Sequence, residues 1–291
     1  MKRTAAVYIL LGQSNAVGHG IPMEEKDIIL KPMKNVFGLS REFNQSYDND
    51  RLRWSGYTSF GMNLAEEQDN TYSVVNQLAK IWQKEIDEGN DKLPDLYIVQ
   101  IAIGAEGLTK GYMWYPDREK KLIPGKLGTV DISLYPFTMH ILSLLDNSFR
   151  ELDIDYSILR LDWRGGSNDT TQTNKYLREN LLGLYERMFA DFDKILGKVP
   201  TTIHRICCPD RVMELDPTGK SLENMHFINS VFYTLARTHD NINVFDVREY
   251  PDYIPFVRCN GLFIEDAVHY TPEANMWVAE RILAEQKVLF Y

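Results

Sequence analysis

Cysteine is scarce, at three in 291 residues. Two of them, Cys207 and Cys208, are adjacent on a stretch that reads as a strand, where neighbouring side chains point to opposite faces. A disulfide framework is therefore not indicated, and no CxxC pair offers a zinc site. Basic charge is also in deficit: 32 Lys and Arg against 41 Asp and Glu leave a formal net charge of -9. With no long Lys/Arg run to offset it, a nucleic-acid backbone would be repelled. No window approaches the ~18 apolar residues of a membrane helix. Lys2-Arg3 and the apolar residues after it outline the first two regions of a signal peptide, but they run into Gly12-Gln13-Ser14-Asn15 without a small-residue cleavage site and read as a first core strand. The expectation is a soluble chain with neither a nucleic-acid nor a membrane partner, cytoplasmic as it stands and secreted if a leader has been trimmed. No feature assigns an oligomeric state.

What is abundant is core-forming material, with 44% hydrophobic and 12% aromatic residues, enough for one domain spanning 1–291. Apolar runs of strand length recur at Ala5 to Leu11, Leu96 to Ile103, Tyr156 to Leu161, Thr201 to Cys208 and Ile242 to Val247. They are nearly continuous rather than alternating, as in strands covered on both faces. Helical spacing lies between them. Val74 to Ile86 carries Ser73 as N-cap and Gly89 as stop, and Tyr176 to Leu196 ends before Gly197. Leu222 to Thr238 follows, then Pro272 to Gln286 with Thr271 as N-cap. This alternation predicts an α/β fold, a three-layer α/β/α sandwich around a mostly parallel sheet of about five strands. The stretches Glu24 to Asn70 and Gly104 to Asp131 are too long for simple connections and are expected to wall a site. Ligands of such sheets sit at the carboxyl ends of the strands, where Ser14, Gly104 and Asn168 fall.

Ser14 follows the first apolar run directly, and Asp266-Ala267-Val268-His269 sets a carboxylate three residues before an imidazole. The two pieces contain the hydroxyl, base and orienting carboxylate of a serine hydrolase. Gly12-Gln13-Ser14-Asn15-Ala16 lacks the second glycine of G-x-S-x-G, so the nucleophile elbow of the α/β-hydrolases is not present. With Trp163-Arg164-Gly165-Gly166-Ser167-Asn168-Asp169 in the middle of the chain, these blocks resemble, in order, those of the SGNH hydrolase superfamily, whose domain is flavodoxin-like. The GQSN block resembles the sialate O-acetylesterase and acetylxylan-esterase branch, carbohydrate esterase family six.

The resemblance implies Ser14 as nucleophile, His269 as general base and Asp266 as the carboxylate orienting it. It implies oxyanion donors at the Ser14 amide, at Gly104 and at the Asn168 side chain, with Gln13 beside them at the substrate site. The implied activity is hydrolysis of O-acetyl or other short acyl esters on a carbohydrate, without cofactor or metal. Two departures stand out. Ala105 replaces the second glycine usual after Gly104, and against the branch pattern W-x-Q-G-E the chain has Gly165 for the glutamine and Ser167 for the glutamate.

Other readings of the same residues stay open. Asp266-x-x-His269 also fits a turn in which the carboxylate caps a helix and the histidine packs nearby. Trp163 and Trp114 fit a core as well as a sugar platform, although Gly111-Tyr112-Met113-Trp114-Tyr115-Pro116 is an aromatic loop near the expected mouth. His19 can line the pocket or belong to a loop, while His140, His204, His226 and His239 lack ligand-like spacing. A non-catalytic glycan binder on an esterase fold, or an esterase or lipase for lipid acyl chains, are the alternative functions.

Overall fold

The computed structural model of the chain describes residues 3–20, 22–65, 71–124, 130–207, 214–247 and 268–290. In chain order, strand β1 (Arg3–Gly12) leads into the one-turn helix α1 (Ser14–Val17), then β2 (Val36–Leu39), α2 (Arg41–Asn44), β3 (Trp54–Gly56), α3 (Val74–Asp87) and β4 (Asp95–Ala102). A small hairpin of β5 (Leu122–Pro124) and β6 (Val130–Ile132) precedes α4 (Leu134–Ser143), α5 (Leu145–Glu151) and β7 (Ile154–Arg164). The chain continues through α6 (Asn174–Leu196), β8 (Thr201–His204), α7 (Lys220–Thr238), β9 (Ile242–Phe245) and α8 (Pro272–Phe290).

The main sheet has the order β3-β2-β4-β1-β7-β8-β9. Its pairings are parallel except β2 with β3, which is antiparallel. β1 is central and apolar on both faces. Ala5, Val7, Ile9 and Leu11 join one core with α4, α5, α6 and α7, while Ala6, Tyr8 and Leu10 join a second core with α3 and α8. That alternation makes three layers from one strand sequence. Helix starts follow their caps: Ser73 Oγ accepts from the Asn76 amide at 3.3 Å, Thr173 Oγ1 from Tyr176 at 3.3 Å and Thr271 Oγ1 from Ala274 at 3.2 Å.

The α/β architecture and the five expected strands are present, although β8 and β9 are only four residues each, and the sheet has seven strands rather than five. β2 and β3 come from the polar stretch expected only to wall the site. Neither stands out from the polar residues around it, and β2 is held by pairing with β4 and by two buried side chains, Val36 and Leu39. β7 runs on to Arg164 rather than ending at Leu161, because Arg160, Asp162 and Arg164 find partners inside the protein. Cys207 lies past the end of β8, so it is not a strand residue, and Cys208 lies outside the described residues. Among the described residues no helix is long and apolar enough to cross a membrane.

Candidate active site

β4, β1 and β7 lie side by side, so the residues that follow their carboxyl ends, Gly104, Ser14 and Asn168, come to one rim of the sheet. The chain leaves β1 through Gly12, whose φ is 144° and where an added Cβ would stand 2.2 Å from the Arg164 carbonyl oxygen. Only glycine permits that approach. The Gln13 amide then donates to the same carbonyl at 3.0 Å, and the α1 turn starts with Ala16 N–H donating to Gln13 O at 2.7 Å. From below, the buried Trp114 indole donates to Gly12 O at 3.0 Å and packs edge-on against Trp163 with ring centroids 5.0 Å apart. Both tryptophans are core, and neither is an exposed sugar platform.

Contacts between the blocks form a closed circuit around Ser14. The Gln13 carboxamide donates to Ser167 Oγ, tying the α1 turn to the middle block. Asn168 Nδ2 donates to the Ala105 carbonyl at 2.6 Å, tying that block to the Gly104 loop. The buried Asp169 carboxylate reinforces this second link, accepting from the amides of Leu108 at 3.1 Å and Thr109 at 3.0 Å and from Thr109 Oγ1 at 2.6 Å. Burial pushes the Asp169 carboxyl above its usual value, and those donors offset part of the rise. The imidazole of His19 fills the space over Gly104, where a Cβ would meet the ring at 2.8 Å. The same ring stacks on that of His269, with centroids 5.6 Å apart and planes at 27°. The circuit closes through Asn15. Its Nδ2 donates to Val268 O at 3.0 Å, and its Oδ1 accepts from the Tyr270 amide at 3.1 Å.

Segments more than 250 positions apart in sequence, at Ser14 and His269, are thus joined at one edge. Ser14 is 6% exposed. Asp266 lies outside the described residues. Gln13 is 3% exposed, and its carboxamide acts as a strut through Ser167. The Ala105 departure has a conformational signature: its φ is 60°, a left-handed value that glycine would adopt without steric cost. A side chain at Gly165 would have its Cβ 2.5 Å from the Trp163 ring, so a glutamine there is incompatible with this tryptophan's position. Among the described residues no group of His, Cys, Asp and Glu is arranged to hold a metal.

Beneath the site lies a polar chain that the apolar-run reading passed over. Asp162 is fully buried and accepts from Tyr8 Oη at 2.7 Å, from His204 Nε2 at 2.9 Å and from Arg160 Nε. Burial alone pushes the Asp162 carboxyl up, but the Arg160 guanidinium and His204 together hold it well below the usual carboxylate range. Arg164 Nη1 donates to Asn15 O and to Asn275 Oδ1 of α8, each at 3.1 Å. The signal was present in β7, where charged and apolar residues alternate from Leu159 to Arg164. Arg164, Gln13, Asn15, Ser167 and Tyr270 also border a cavity of about 40 Å³ at this edge.

No protein-family model matches the sequence, and no curated protein sequence matches it. Solved structures do resemble it. A protein from Arabidopsis thaliana aligns with TM-score 0.55 and 15% identity over 96% of this chain and 98% of that one. NanS aligns with TM-score 0.54 and 14% identity over 99% of this chain and 98% of its own. A lipase from a goat rumen metagenome aligns at TM-score 0.47 with 12% identity, over 96% of each chain. At such identities the likeness to the first two is one of fold, and it extends over essentially the whole chain.

Proposed function

We propose that this chain is a serine hydrolase of the SGNH type that removes O-acetyl or other short acyl groups from a carbohydrate. The observation that carries the reading is the clasp of Asn15 on both neighbours of His269, which brings the base's segment to the serine turn. Ser14 Oγ attacks the ester carbonyl while His269 takes its proton, and Asp266 orients the imidazole. The oxyanion rests on the amides of Ser14 and Gly104 and on the Asn168 N–H not given to Ala105. His269 then protonates the leaving sugar hydroxyl, and water clears the acyl-enzyme by the same route reversed. The reading calls for no cofactor.

Acetate release from a panel of acetylated polysaccharides and from an aryl acetate tests it, with Ser14→Ala as the comparison. Release by the wild type and none by the variant is expected. Sugar binding without release would make the chain a glycan binder, and turnover rising with acyl length would move the substrate to lipid esters.

A further inference from the structure

The residue after the candidate nucleophile does something that its place in a GQSN block does not require. Asn15 sits in α1 with its carboxamide turned to the segment before α8, donating to Val268 O at 3.0 Å and accepting from Tyr270 N–H at 3.1 Å. These are the two peptide groups on either side of His269. One side chain thereby acts as a one-residue strand partner, offering a donor and an acceptor to the backbone around His269. Its own backbone is held as well, since Arg164 Nη1 donates to Asn15 O at 3.1 Å and to Asn275 Oδ1 in the first turn of α8 at 3.1 Å. The ring of His19 stacks on that of His269 at 5.6 Å. His19 is itself fixed to the same turn, its amide donating to Ser14 O at 3.0 Å.

We infer that Asn15 is the positioning residue for the base: it sets the height and direction of the His269 imidazole relative to Ser14 by pinning both flanking peptides, with His19 as backstop. This rests on the hydrolase reading above and adds to it the element that couples nucleophile and base into one rigid unit. Because proton transfer depends steeply on geometry, a base shifted by the loss of these two bonds lowers turnover without weakening substrate binding.

The test compares wild type, Asn15→Ala, His269→Ala and the double variant, using p-nitrophenyl acetate turnover and the rate of Ser14 labelling by a fluorophosphonate. Asn15→Ala is expected to lower kcat and labelling rate by up to about a hundredfold with KM within about threefold of wild type. In the His269→Ala background the same change is expected to be silent, since it acts through that imidazole. Asn15→Asp, which keeps the acceptor for Tyr270 and loses the donor to Val268, is expected to fall between, and it decides the matter if the alanine variant does not fold. A folded Asn15 variant with wild-type kcat overturns the inference, as does an equal loss in both backgrounds, which would mark a merely structural role. A wild type that neither turns over nor is labelled removes the hydrolase reading itself, and the inference with it.

Discussion

His204 donates through Nε2 to Asp162 at 2.9 Å while its Nδ1 accepts from Arg164 Nε at 3.3 Å, so the ring is neutral and its tautomer is fixed. Burial, with the Arg164 charge beside it, holds this imidazole down to about 4. The native ring thus refuses a proton that the unfolded chain takes near pH 6.5. Its contribution to stability is full above about pH 6.5 and is lost as pH falls from there towards 4, up to about 3 kcal/mol in all. Asp162, held far lower, loses its contribution only below the usual carboxylate range, and Asp169, shifted upward, acts with the opposite sign. Urea midpoints at pH 7.5 and 4.5 measure this. His204→Gln is expected to be less stable at pH 7.5 and to lose much less on acidification. An equal acid loss in both proteins would sink the assignment.

Ala105 holds a left-handed φ of 60° beside the candidate oxyanion donor Gly104. An L-residue there costs about 1–2 kcal/mol, while glycine loses about 0.5–1 kcal/mol through its freer unfolded state. Ala105→Gly is therefore expected to stabilise the protein by about 0.5–1 kcal/mol, read as a higher urea midpoint at unchanged m-value. A lower midpoint would show that the methyl group makes packing contacts outweighing the strain.

Asn168 spends one N–H on the Ala105 carbonyl at 2.6 Å and has a second to offer. The proposed mechanism uses it as an oxyanion donor, a role that contributes a few kcal/mol, so Asn168→Ala is expected to lower kcat by on the order of a hundredfold. Asn168→Asp, which keeps the size but cannot donate, is expected to be at least as impaired. Turnover within a few-fold of wild type in both would remove the amide from the mechanism.

Trp114 supports the serine turn from below through its bond to Gly12 O. Trp114→Phe keeps an aromatic ring against Trp163 but strands that carbonyl inside the core, and is expected to cost about 1–3 kcal/mol. Thermal and chemical denaturation check it, with the aryl-acetate rate falling alongside as the turn loosens.

The layers were legible in the sequence because their causes are local. Strands buried on both faces must be continuously apolar, as Ala5 to Leu11 is, and helices announce themselves by period and cap, as with Ser73 and Thr271. β2 and β3 were not legible, since short strands inside a polar stretch owe their existence to the neighbour they pair with. The Arg160–Asp162–His204–Arg164 chain was half legible: its alternation shows in β7, but that the charges face inward does not, because a charge is tolerable inside only once partners from other strands surround it.

The same division runs through the site. The sequence by itself determined where a serine and a glycine leave their strands, because the end of an apolar run is a local fact, whereas the strand before Asn168 runs three residues past its apolar run to Arg164. Only the tertiary structure decided that these ends share one rim, that Gln13 turns inward to Ser167, and that Asn15 reaches across to the backbone around His269. Strand order and side-chain pairing across that distance follow from packing the whole sheet, which no single stretch of residues contains.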